Sequence, residues 1–187
     1  MFIPLILAIS LVVALARGGH ISNLLALQPR HIWLLFIPLI LQIIAFSPLG
    51  DSTRFGADFP RALHLASLAL AAIALALNRH LPGLSLIALG LALNFIVIAL
   101  NGGFMPVSAT ARQFAGMSPL TGRYNNVIPM NDKTILPWLG DILPLPAWMP
   151  FANVFSLGDV LITLGGLIFI QRGLVRNQAP SNAPSQN

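Results

Sequence analysis

The chain has 187 residues, 56% of them hydrophobic and 8% charged, with a net charge of +5 and no cysteine. An ordinary globular domain carries about 25% charged residues, so the composition is that of a membrane protein. Without cysteine there is no disulfide framework, thiolate metal site or thiol nucleophile. The basic residues form no patch interleaved with aromatics, which excludes nucleic acid as a partner and leaves the lipid bilayer.

Taken in chain order, the first apolar run covers 2–16. Arg17 follows it and no basic residue precedes it, the reverse of a secretory signal, so it is expected to be a transmembrane helix. Residues 17–31 contain Gly18-Gly19, with Ile21, Leu24, Leu25 and Leu27 as a short interfacial turn. A second span over 32–46 carries Pro38, expected to kink it, and Gln42, expected to bond a neighbouring helix. The third span, 61–78, is rich in Ala and Leu, which permits close helix approach. The turn Arg79-His80-Leu81-Pro82 leads to a fourth span over 83–100, ended by Gly102-Gly103.

Residues 104–152 include Pro106, Pro119, Pro129, Pro137, Pro144, Pro146 and Pro150, so no continuous helix is expected there. Trp138, Trp148 and Tyr124 are side chains of the kind found at headgroup level. This long Pro-rich loop is expected to pack on the bundle. A fifth span follows over 154–170, with Gly165-Gly166 as a close-packing site. The fold class predicted is all-α: a single polytopic domain over 1–176, a bundle of five transmembrane helices, and a polar disordered tail over 177–187. Placing the N-terminus outside and the C-terminus in the cytoplasm puts Arg17, Arg30, Arg79, Arg172 and Arg176 inside. Among the short segments, only Arg54 and Arg61 then face outward.

All five acids are aspartates, Asp51, Asp58, Asp132, Asp141 and Asp159. An ionisable group at membrane depth costs about 2.5–3.5 kcal/mol even on the gentlest scale. Asp141 and Asp159 are therefore the candidate site, and the topology places both on the extracytoplasmic face. If brought together, two carboxylates share a proton, one serving as base on a water and the other as acid. The competing reading is structural: Asp159 favours the start of a helix, with Asn153 or Ser156 as cap, and Asp141 caps loop amides or pairs with Arg112, Arg123 or Lys133. Asn94 and Asn101 share a helical face and suit interhelical hydrogen bonds. His64 is an interfacial histidine that could assist a site. His20, His31 and His80 have no metal-ligand spacing, and no phosphate-binding glycine loop is present, so neither metal nor cofactor is expected.

Two resemblances bear on this site. Asp132-Lys133, Asp141, and Phe155-Ser156-Leu157-Gly158-Asp159 resemble the C-terminal motifs of signal peptidase II, the membrane aspartyl peptidase of bacterial prolipoproteins. That resemblance implies Asp141 and Asp159 as a catalytic dyad, Asp132 and Ser156 as supporting polar residues, and a lipidated peptide or lipid-like substrate. Lys133 and Ser156 stand where that family has Arg and Asn. A second resemblance runs over most of the chain. The Arg17-Gly18-Gly19 start, Asn101-Gly102-Gly103-Phe104-Met105-Pro106-Val107-Ser108, Leu136-Pro137-Trp138-Leu139-Gly140-Asp141 and Asn153-Val154-Phe155-Ser156-Leu157-Gly158-Asp159-Val160 are similar to domain of unknown function 5317. It implies a small bacterial membrane protein and brings no activity. Two readings follow from the residues: the dyad above in an inner-membrane hydrolase, or a non-enzymatic accessory subunit or binding protein of a membrane complex with Asp141 and Asp159 structural.

Overall fold

A computed structural model describes residues 2–47, 56 and 58–175. Asp51, Arg54, Arg176 and the expected tail over 177–187 lie outside the described residues. Five apolar helical segments dominate. They are α1 (Phe2–Ala16), a 3-10 turn (Ile32–Leu35) running into α3 (Phe36–Ala45), α4 (Phe59–Leu77), α5 (Leu84–Leu100) and α7 (Leu157–Leu174). Two short helices, α2 (Ile21–Leu25) and α6 (Ala109–Phe114), lie in the connections.

Of these, α4 and α7 are long and apolar enough to cross a membrane, with mean hydropathy 1.7 and 1.4. Only 17% and 28% of those windows are buried within the chain. The other three apolar helices are shorter. Large apolar side chains such as Val12, Phe36, Ile43 and Ile73 face outward along them.

Consecutive helices from α3 to α5 pack antiparallel, and α7 packs on α5 and α1. Glycine makes the α5–α7 crossing close. A Cβ at Gly90 would strike the Gly158 carbonyl, and one at Gly165 would sit 2.6 Å from the Gly83 carbonyl. Gly166 lies against Leu7, so α1 meets the opposite flank of α7. Gln171 Nε2 donates to the carbonyl and hydroxyl oxygens of Ser10, at 2.7 and 2.9 Å. Gln42 on α3 meets His64 and Ser67 on α4, as its position suggests.

Pro38 is not a mid-helix kink. The chain turns as a 3-10 helix first, so Pro38 falls in the first turn of α3, where no backbone N–H is needed.

The two ends of the bundle differ. One gathers Arg17, Arg30, Arg79 and Arg172. There Arg17 donates to Gln171, and buried Asn78 clamps Arg30 through both backbone groups. At the other end, the long connection after α5 folds into a cap. The all-α expectation is corrected here by two short sheets. β1 (Met105–Val107) pairs in parallel with β2 (Val127–Pro129), and β3 (Leu143–Pro144) pairs antiparallel with β4 (Val154–Phe155). Prolines that forbid a helix leave these residues extended. Val107, Ala111, Ala115 and Val154 form the core of the cap. Met105 joins it to Val97 and Ile98 of α5.

Candidate functional site

The site forms where the cap meets the first turn of α7. Residues 154–155 are extended by pairing with β3, so the helix starts at Leu157, three residues later than hydropathy suggests. Ser156 is its N-cap and Asp159 its third residue, a reciprocal capping box. The Asp159 N–H donates to Ser156 Oγ at 3.0 Å, and the Ser156 N–H donates to Asp159 Oδ2 at 3.1 Å.

Asn94 of α5 closes the circuit. Its Nδ2 donates to Asp159 Oδ1 at 3.1 Å, while its Oδ1 accepts from Ser156 Oγ at 2.9 Å. Ser156 is fully buried and Asn94 nearly so. Both oxygens of the Asp159 carboxylate thus receive a donor, and the acid also faces the positive end of the helix dipole. Gly158 is required beside it, because a Cβ there would overlap the Asn94 side chain.

Asp141 reaches the same region from the cap. It follows a short 3-10 turn (Pro137–Leu139) and lies along the free side of β1. Its N–H donates to the Pro106 carbonyl, and its own carbonyl accepts from Ser108 N–H, both at 2.9 Å. The next residue, Ile142, donates to the Phe155 carbonyl at 3.1 Å, which ties this strand to the entrance of α7. The backbone, rather than the carboxyl, fixes Asp141 in place.

Burial, with the charge of Asp159 added to it, pushes the Asp141 carboxyl from an ordinary 3.8 up to about 8. Among the described residues no ion pair reaches it. Arg112 donates to the Ser118 carbonyl, and Arg123 stacks on Phe104. At neutral pH the pair is asymmetric, a neutral Asp141 beside a charged, hydrogen-bonded Asp159.

The remaining predicted residues separate. Asn101 is bonded to Val97 and Ile135, pinning the approach to the 3-10 turn, and takes no part in the circuit. Asp132 is exposed in the turn formed by Asn131 and Thr134. Among the described residues no cluster of three or more His and Asp side chains is placed to hold a metal ion. Asp159 also borders an apolar recess of about 300 Å³ between α1 and α7, lined by Ile3, Ile6, Leu145, Phe155 and Leu164. Sequence reasoning gave no sign of that recess, because its walls come from both ends of the chain.

A family of unknown function (DUF5317) matches residues 26–171 of the chain. An uncharacterized protein of Thermotoga maritima is 25% identical over 171 residues, covering 90% of each chain. No solved structure matches.

Proposed function

The chain belongs to the family of unknown function DUF5317, and from that footing we propose a non-enzymatic integral membrane protein. In this reading it is an accessory or binding component spanning the bacterial inner membrane five times, with the capped end outside. The observation that carries the non-enzymatic part is the Ser156–Asn94–Asp159 circuit. It takes up both Asp159 oxygens in starting α7 and fastening it to α5. Asp141 completes the joint as a neutral acid under the cap.

The membrane part is supported by the outward apolar faces and by the gathering of Arg17, Arg30, Arg79 and Arg172 at one end. Five spans need α1, α3 with its 3-10 turn, and α5 to cross a bilayer although each is short. Helices of that length cross with local thinning of the bilayer. Reporter fusions test this directly. One at Gly116 in the cap and one after Asn187 are expected on opposite sides of the membrane. Both on one side would overturn the topology.

One observation favours a second reading. A neutral Asp141 beside a charged Asp159 is the protonation pattern of a signal peptidase II-like hydrolase, and the apolar recess at Asp159 suits an acyl chain. Protein reconstituted in liposomes with a diacylated lipopeptide, followed by mass spectrometry of the products, separates the two. No cleavage is expected. Cleavage that Asp141→Asn abolishes would establish the hydrolase instead.

A further inference from the structure

Away from the aspartates, a cavity of about 320 Å³ opens at the capped end, between the end of α3 and the start of α4. Arg61, Arg123, His64, Phe104, Asn125 and Asn126 line it. The guanidinium groups of Arg61 and Arg123 lie over the Phe104 ring, 5.3 and 4.9 Å from its centroid. Both planar cations are thus held against one aromatic ring that lines the cavity. Arg61 also pairs with Asp58 and reaches the Gly102 carbonyl at 3.4 Å. Among the described residues Asp58 offsets one of the two charges, and Arg123 keeps the lining positive.

His64 supplies an independent observation. The residue is 6% exposed, and its Nδ1 lies 3.2 Å from Gln42 Oε1. With the Gln42 amide in this orientation Oε1 accepts and Nδ1 carries the ring proton, which leaves Nε2 as the acceptor. Phe46 meets the imidazole edge-on, with ring centroids 5.2 Å apart. The other ring nitrogen, Nε2, is buried with no hydrogen-bond partner in the protein. Buried polar atoms are nearly always paired, so a ligand atom belongs there.

We infer that this cavity binds a phosphate group, free or as the terminal monoester of a lipid headgroup, with Arg61 and Arg123 on its anionic oxygens and one P–O–H–N proton shared with His64 Nε2. Phosphate fits better than the other common anions. Its second proton leaves near pH 6, so at neutral pH it can still share one, whereas sulfate and carboxylate have none to share. The asparagine side chains add neutral donors to the same wall. This inference deepens the binding-protein reading and rests on it, and the free-phosphate arm of its test needs no bilayer.

Purified protein in maltoside detergent would be titrated with inorganic phosphate, with short-chain phosphatidic acid and with sulfate. Thermal shift and native mass spectrometry would be the readouts. One equivalent of a phosphate probe is expected to bind saturably, with sulfate about tenfold weaker or worse. Binding by phosphatidic acid alone identifies a lipid headgroup as the source, and equal binding by inorganic phosphate identifies the free ion. Arg123→Gln changes an exposed side chain and is expected to weaken phosphate binding about tenfold while the melting temperature without ligand stays close to that of the native chain. His64→Asn is expected to erase the preference for phosphate over sulfate. Equal affinity for sulfate in the native chain, no saturation by either phosphate probe, or full binding by Arg123→Gln would overturn the assignment. Opposite-side fusion reporters with no phosphate binding would leave the five-span reading standing while this one fell.

Discussion

Asn94 and Asp159 are 65 residues apart and joined by a 3.1 Å hydrogen bond from the amide of one to the carboxylate of the other. Through it the last full turns of α5 hold the first turn of α7, at the level where the cap begins. The bond is possible because Gly158 and Gly90 let the two backbones come together. Close packing, helix capping and the position of the acid are one arrangement.

Gly158→Ala tests the packing. The added methyl would overlap the Asn94 side chain, so a loss of about 1–3 kcal/mol is expected from overpacking. Reversible unfolding in mixed detergent micelles measures it. Gly122, with nothing within 4 Å of a new Cβ, is the control, and Gly122→Ala should be near neutral.

Ser156→Ala removes the N-cap and also the donor to Asn94 Oδ1. Loss of a cap costs about 0.5–2 kcal/mol, and a buried acceptor left unsatisfied adds about 1–3 kcal/mol. The same unfolding assay should therefore show a drop of about 1.5–5 kcal/mol. An unchanged midpoint for the alanine variant would contradict the circuit.

Asp159→Asn separates the two causes acting on Asp141. Removing the neighbouring charge should lower the Asp141 titration from about 8, while burial keeps it above the ordinary carboxyl range. The infrared carbonyl band of a protonated carboxyl, followed against pH, reports this directly. A titration midpoint that does not move would mean that the two acids do not interact.

Asp141→Asn bears on stability against pH. The folded chain retains a proton on Asp141 that the unfolded chain releases near 3.8, so stability should decline as pH rises from about 4 to 8 and then level off. The Asn variant is expected to lack that contribution and to exceed the native chain in melting temperature at pH 8. A native chain whose melting temperature rises over this interval, relative to the variant, would reverse the sign.

Much of this was legible in the residues. Apolar runs mark the helices, and the segment expected over 83–100 is found as Leu84–Leu100. Ser156-Leu157-Gly158-Asp159 is a local capping signal, so Asp159 as the start of a helix could be read from four residues. Asp141 could not be read that way. Its raised titration needs β1 to lie beside residue 141 and α7 to begin beyond it, both long-range facts. The short sheets were hidden for the same reason, since three-residue strands containing Pro106 and Pro129 show no alternation. Arg61 and Arg123 line one cavity only because both reach the ring of Phe104, far from each of them in sequence.

The pairing of α1 with α7 has a consequence for biogenesis. Ser10 and Gln171 are 161 residues apart. At typical synthesis rates of about 5–20 residues per second, roughly 8–30 s pass between the emergence of one and the other. Through that interval α1 lacks its α7 partner, and the Ser10 oxygens that later accept from Gln171 must find other donors. The arrival of α7 is thus what releases α1 from that provisional company. A nascent chain stalled before Gln171 would leave the α7-facing side of α1 uncovered and open to chaperones.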